Sequence, residues 1–205
     1  SEGEGLKNAI IFCNRKTDVD IVAKSLKAHG YDAAPIHGDL DQRVRMATLD
    51  GFREGTLRFL VASDVAARGL DIPAVSHVFN FDLPSHAEDY VHRIGRTGRA
   101  GREGNAYTIA TPDDARNVAA IEALTGRPIP RIEVDGLDPV SAEELAEAIA
   151  KPKRGRGGAE HEAGDEEQEV AQQQPEEVFD RHRNSSSEII RGGLVILGET
   201  GAQPT

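Results

Sequence analysis

Residues 90–101 read Tyr-Val-His-Arg-Ile-Gly-Arg-Thr-Gly-Arg-Ala-Gly, and Arg93, Arg96 and Arg99 recur there at a three-residue spacing. The spacing carries them across a helix end into a glycine-punctuated loop, where Gly98 and Gly101 let the backbone come close to a ligand. A guanidinium is planar, permanently charged and forked, which suits the non-bridging oxygens of a phosphoryl group in transfer. The competing reading is a surface arginine cluster paired with acidic neighbours, the commoner fate of an arbitrary arginine triplet. The net charge of −11 bears on that choice. It speaks against wholesale coating by nucleic acid, whereas an acidic chain that gathers Arg93, Arg96, Arg99 and Arg102 so tightly points to a local anion site.

A second string, residues 60–73, reads Leu-Val-Ala-Ser-Asp-Val-Ala-Ala-Arg-Gly-Leu-Asp-Ile-Pro. An apolar strand ends at Ala62, the hydroxyl of Ser63 follows at its edge, and small residues allow close approach before Gly69 and Asp71. A carboxylate beyond a strand end can accept hydrogen bonds from a ribose. Alone, an Asp after Gly-Leu is more often a turn residue. A third group, His37-Gly38-Asp39 with Gln42 and Arg45, opens a helix near Asp41 whose free amides could join Arg45 on a phosphate. Arg45 alone reads as an ordinary exposed helix residue, and Arg53 and Arg58 read as solvated.

These groups need a frame to position them. Ala9–Cys13 is a continuous apolar run, the pattern of a strand buried on both faces. Further strands are expected at Ala33–His37, Phe59–Ala62, Val75–Phe79 and Ala106–Ala110. Helices are expected at Asp18–Ala28, Asp41–Phe52, His86–Thr97 and Asp113–Leu124. Strands separated by helical stretches imply right-handed crossovers and a mostly parallel sheet. Ligands gather beyond the carboxyl ends of such strands, here at residues 14–16, 37–39, 63–71 and 97–104.

Composition bounds the rest. The hydrophobic fraction of 38% suits a chain that buries one core. No stretch approaches the roughly 20 apolar residues of a membrane span. One cysteine, Cys13, cannot form an internal disulfide and reads as a buried strand residue, so a reducing, cytoplasmic setting is expected. Met46 is the only methionine, so a piece of a longer protein is expected. Ser141 and Glu144 form a capping box for a short helix in 140–150. Residues 151–205 read as a low-complexity, largely disordered tail. Its basic run at Lys151, Lys153, Arg154 and Arg156 is either an RNA contact or a plain linker. Its apolar island at 189–197 is either a docking peptide for a protein partner or a sticky terminus.

His92-Arg93-Ile94-Gly95-Arg96-Thr97-Gly98-Arg99 resembles motif VI of the DEAD-box RNA helicases, in its complete form. Residues 60–73 resemble motif V, with Ser63 where the family often has Thr. Ile10–Lys16 resembles motif IV, and 37–45 resembles motif IVa. The similarity covers residues 6–111 well and reaches Pro139 more loosely, where Thr125–Pro130 resembles a bacterial subgroup. The resemblance implies an α/β, RecA-like three-layer domain at 1–139, with a mostly parallel central sheet flanked by helices. It implies that Arg96 and Arg99 reach the γ-phosphate of ATP and that Gly69 and Asp71 meet its ribose. His92 would touch the acidic motif of a partner domain, with Arg93 bracing the loop. Gly38, Gln42, Arg45 and Ser63 would grip RNA.

No Gly-x-x-x-x-Gly-Lys-[Ser/Thr] and no Asp-Glu-Ala-Asp string occurs in these 205 residues. ATP and Mg²⁺ would therefore be cradled mainly by an N-terminal RecA-like domain of the same protein. The expected activity is RNA-stimulated ATP hydrolysis coupled to duplex unwinding, with this chain inactive alone and without a metal site. Two alternatives stand beside it: a non-enzymatic RNA- or partner-binding module, and a DNA-directed superfamily-2 helicase domain, against which His92-Arg93 speaks.

Overall fold

The computed structural model describes residues 5–98, 104–132 and 195–201. In chain order these form β1 (Ala9–Cys13), α1 (Lys16–Ala28), β2 (Ala33–Ile36), α2 (Gln42–Glu54), β3 (Phe59–Ser63), α3 (Asp64–Arg68), β4 (His77–Asn80), α4 (Ala87–Ile94) and β5 (Gly104–Ala110). A 3₁₀ turn (Pro112–Asp114), α5 (Ala115–Thr125), β6 (Arg131–Ile132) and β7 (Val195–Gly201) follow. The sheet order is β2-β3-β1-β4-β5-β7-β6. All pairings among β1 to β5 are parallel, while β7 is antiparallel to both β5 and β6.

The continuous apolar run of β1 is buried along its whole length, as a strand at the centre of a three-layer fold must be. Its alternate side chains feed two cores. Ile10 and Phe12 join Leu49 and Phe52 of α2, Tyr90 and Ile94 of α4 and Ile121 of α5 on one face. Ala9, Ile11 and Cys13 join Val19 and Ala23 of α1 on the other. The RecA-like three-layer expectation holds. Burial and the nearby Asp82 push the Cys13 thiol pKa well above its ordinary value.

Most ends move by one or two residues, as where α1 starts at Lys16 and β5 at Gly104, and three larger differences stand out. Residues 64–68 form the short helix α3 directly after β3, too brief to show a helical period. Helix α4 stops at Ile94 rather than Thr97. There the Thr97 hydroxyl donates to the Val75 carbonyl at 2.7 Å, and Val75 and Thr97 form a parallel bridge. β4 begins at His77 rather than Val75, because its pairing with β1 and β5 starts there.

The third difference lies in the segment read as tail, of which residues 195–201 stand in the sheet, Ala110 opposite Val195 through Gly104 opposite Gly201. The parallel array otherwise ends at β5 with an unpaired row of amides and carbonyls, and β7 satisfies that row. Gly198 lies opposite Tyr107, and a Cβ there would meet Ile132 Cδ1 at 2.2 Å. The remainder of 151–205, and the helix expected within 140–150, lie outside the described residues.

Candidate functional site

Three of the four strings meet at the carboxyl ends of β1, β3 and β4 and the helix end of α4, and Arg93 is what joins them; residues 37–45, beyond β2, are reached instead through the Lys16–Asp39 pair. Its side chain is 1% exposed, and all five of its N–H groups have acceptors. Nε donates to Asp64 Oδ1 at 2.7 Å and Nη2 to Asp64 Oδ2 at 2.6 Å. Nη2 also donates to Asn14 Oδ1 at 2.6 Å. Nη1 donates to the Asp82 carbonyl at 2.7 Å and reaches Asn80 Oδ1 at 3.4 Å. The guanidinium carbon sits 5.2 Å from the centroid of the Phe12 ring. A buried guanidinium persists only when paired and fully hydrogen-bonded, and the forked Asp64 carboxylate meets that condition. One side chain thus ties Asn14, the start of α3, the end of β4 and α4 together.

The network continues outward. Asn14 Nδ2 donates to the Leu83 carbonyl at 2.9 Å, its amide donates to Asp82 Oδ2 at 3.0 Å, and Asn80 Nδ2 donates to Thr108 Oγ1 at 2.9 Å. Burial raises the pKa of Asp82, against the pull of the Asn14 amide and Arg93.

Beyond this knot the chain turns into the loop that carries Arg96. Gly95 lets the helix end tightly, since a Cβ there would sit 3.0 Å from the Val91 carbonyl. The Arg96 carbonyl accepts from the Val75 amide at 3.0 Å, which stitches the loop to the strand beside it. Gly98 takes a left-handed φ of 68°, and a Cβ on Gly104 would lie 2.4 Å from the Gly98 amide nitrogen. The backbone is therefore fixed while the Arg96 side chain, half-buried, leans toward α3, with Nη2 3.5 Å from the Ala67 carbonyl. His92 is exposed on the last turn of α4. Arg99, Gly101 and Arg102 lie outside the described residues.

Gly69 ends α3, and Asp71 follows with a side chain 98% exposed. At Gly69 a Cβ would make only ordinary contacts of 3.9–4.0 Å, and φ of −83° is open to any residue. Packing within the protein therefore does not by itself demand glycine at this position. Ser63 is half-buried at the end of β3 and makes no side-chain cap to α3.

Gly38 and Gln42 are exposed, and Arg45 is half-buried on the first turns of α2. The expected free amides there are only partly available, because Asp41 caps the helix by accepting from the Arg43 amide at 2.7 Å. Two buried side-chain nitrogens have no protein partner among the described residues: Arg45 Nε, a donor, and His37 Nδ1. His37 Nε2 faces Asp20 Oδ1 at 3.2 Å, and Lys16 pairs with Asp39 at 2.5 Å, which holds the exposed Asp39 carboxyl below its ordinary pKa.

Sequence reasoning missed Asp64, Asn14 and Asn80 as partners of Arg93, since no local pattern links positions so far apart. Arg53 and Arg58 are exposed, as expected, but each also makes contacts that the sequence did not signal. Arg53 donates to the Asp71 carbonyl at 2.8 Å, and Arg58 donates to the Leu6 carbonyl and lies over the Phe59 ring. Each remains exposed while finding an acceptor across a loop.

A parallel RecA-like sheet with an arginine-bearing loop braced beyond its carboxyl ends defines the second domain of a helicase core. Residues 3–101 match the helicase conserved C-terminal domain. The chain is 52% identical over 130 residues to the DEAD-box ATP-dependent RNA helicase CshA of Bacillus subtilis, covering 63% of this chain and 26% of that protein. The E. coli DEAD-box protein SrmB, solved bound to the regulator of ribonuclease activity A, is similar at 36% identity and a TM-score of 0.62, covering 65% of this chain and 79% of that one. The C-terminal domain of the DEAD-box protein Dbp5 is similar at 37% identity and a TM-score of 0.55, over 60% of this chain and 75% of that one. The chain belongs to the DEAD-box RNA helicase family, as its C-terminal RecA-like domain. It spans about a quarter of the length of the curated relative from Bacillus subtilis.

Proposed function

We propose that this chain supplies one half of an ATP site and part of an RNA grip in a longer ATP-dependent RNA helicase. The observation that carries the reading is the contrast between Arg93 and Arg96. The first is saturated within the protein and fixes the helix end; the second, three residues on, has Nη2 3.5 Å from the Ala67 carbonyl of α3, whose C-terminal end leads into the Gly69–Asp71 loop. That arrangement aims a forked cation and an exposed carboxylate beyond the same strand ends, where a nucleotide would approach.

The residues present fit such a ligand. Gly69 leaves space against the backbone, and the exposed Asp71 carboxylate suits ribose hydroxyls. Arg96, with Arg99, would neutralise charge that develops on the γ-phosphoryl group. Mg²⁺ and the remaining phosphates would be held by the N-terminal RecA-like domain, whose acidic motif His92 would touch. Bound ATP supplies a phosphoryl group for transfer to water, and this chain's contribution is charge stabilisation and orientation.

RNA would lie along Ser63, Gly38, Gln42 and Arg45. The unsatisfied Arg45 Nε favours this reading, since a buried donor without a partner is costly unless a ligand supplies the acceptor. Contacts of this kind address phosphates and 2′-hydroxyls, so sequence preference should be low.

Purified alone, the chain should hydrolyse no ATP above background, with or without RNA. Joined to its phosphate-binding domain it should show RNA-stimulated turnover. Robust hydrolysis by the chain alone would overturn the half-site reading.

A further inference from the structure

Helix α2 carries different chemistry at its two ends. Gln42 and Arg45 lie on its first turns and Arg53 on its last. At 1.5 Å of rise per residue, Arg45 and Arg53 stand about 12 Å apart along the axis. Leu49 and Phe52 bury the span between them in the core, so the helix joins the two ends as a fixed strut. At the far end, Arg53 Nη2 donates to the Asp71 carbonyl at 2.8 Å and lies 3.4 Å from Asp71 Oδ2. Nη1 lies 3.4 Å from Asp50 Oδ1, one turn back on the same helix.

Asp71 is the apex of a tight turn, for the Ile72 amide donates to the Leu70 carbonyl at 3.0 Å. Ile72 is buried in the core, and Leu70 packs against the same cluster. Both flanks of the turn are therefore pinned by apolar side chains, while the apex carboxylate faces solvent. Pinned flanks still leave the apex free to pivot about the line between them. A guanidinium that holds the apex carbonyl, and touches its carboxylate, removes that freedom.

We propose that Arg53 is a positioning residue for nucleotide binding, presetting the Asp71 carboxylate for the ribose hydroxyls from the end of the helix that carries the RNA-facing residues. The proposal rests on the reading of Asp71 as the ribose contact. A single exposed hydrogen bond used for preorganisation corresponds to about 3- to 10-fold in apparent affinity.

The test uses the longer protein with its phosphate-binding domain, RNA at saturation, and two substrates: ATP and 2′,3′-dideoxy-ATP, which lacks both ribose hydroxyls. Arg53→Ala should raise KM for ATP about 3- to 10-fold and leave KM for the dideoxy nucleotide unchanged. Arg53→Lys, which keeps the charge and loses the fork, should fall between wild type and Arg53→Ala. Asp50→Ala should give a smaller rise, again for ATP only. An equal rise for both nucleotides in Arg53→Ala would assign the residue a merely structural role and overturn the proposal, as would no rise for ATP. If the wild type itself does not distinguish the two nucleotides, the ribose role of Asp71 fails and the proposal fails with it, an outcome separable from the other two.

Discussion

The knot around Arg93 and the edge formed by residues 37–45 are both polar, both arginine-bearing and both placed beyond strand ends, yet they are finished differently. At Arg93 every donor meets a protein acceptor, and the pair with Asp64 is shielded from water. At the other edge, Arg45 Nε and His37 Nδ1 are buried with no protein partner among the described residues. A satisfied polar network is architecture, because it leaves nothing for a ligand to complete. An unsatisfied one is an open valence, tolerated because something outside the fold can close it.

The largest effect that would sharpen this contrast concerns Arg96, three residues from Arg93 but outside its network. In the two-domain protein, Arg96→Ala or Arg96→Lys should lower kcat by roughly 10³-fold or more, the scale of an arginine finger. RNA affinity without nucleotide should hardly move. Turnover within a few-fold of wild type would remove Arg96 from the phosphoryl site.

Next comes the knot itself. Arg93→Ala should destabilise the domain by about 3–5 kcal/mol, because it strands the Asp64 carboxylate half inside the fold. Urea denaturation would measure it, and Asp64→Ala, which strands the cation instead, should cost at least as much. Should either variant unfold with the wild-type midpoint, the knot is not the brace that the geometry indicates.

At the open edge the effect is smaller and of another kind. Arg45→Ala should leave stability nearly unchanged and weaken RNA binding alike across sequences, lowering the slope of log affinity against log salt by up to about one unit. A sequence-selective loss would mean that Arg45 reads bases. A large loss of stability would place it with Arg93 and dissolve the comparison.

The smallest effect tests the rim of the knot through pH. Burial holds the Asp82 carboxyl above its ordinary pKa, so its charged form is disfavoured in the folded state. At neutral pH the charge is present in both states and costs stability. Asp82→Asn, which keeps an oxygen for the Asn14 amide, should gain about 0.5 kcal/mol after allowance for partial exposure. The gain should shrink as pH falls through the raised pKa and vanish below the unfolded value of 3.8. A gain that grows in acid would reverse the sign of the shift.

Much of the frame was legible in the sequence, because unbroken apolar runs such as Ala9–Cys13 and the helical period of Asp18–Ala28 are local signals of buried strands and crossover helices. The strings around Ser63, Asp71 and Arg96 were legible for the same reason: each lies contiguously in the chain. What could not be read is whatever depends on pairing across the fold. The resemblance implied that Arg93 braces the loop, but its partners Asp64, Asn14 and Asn80 lie far off in the chain, and nothing in the string names them. Arg53 is exposed as expected, but its acceptor, a backbone carbonyl at Asp71, has no sequence signature. The Asp41 cap on α2 was visible as a helix start, but its cost to the anion site needed the geometry. Residues 195–201 looked like tail because the strand edge that recruits them is formed by residues 104–110, far earlier in the chain.

That late strand also sets an order of assembly. Among the described residues β6 pairs with β7 alone, and β7 lies between β5 and β6 in the sheet although it is the last described strand. As the polypeptide emerges, β1 to β5 can pair among themselves from contacts already synthesised, but Arg131 and Ile132 must wait for Leu197 and Ile196. Until then the outer edge of β5 presents open backbone groups, and closing it requires the most sequence-distant contact in the sheet. Contacts of that separation form slowly and leave an edge exposed to mispairing in the interval. The sheet is therefore completed from its centre outward in space but from two distant segments in time.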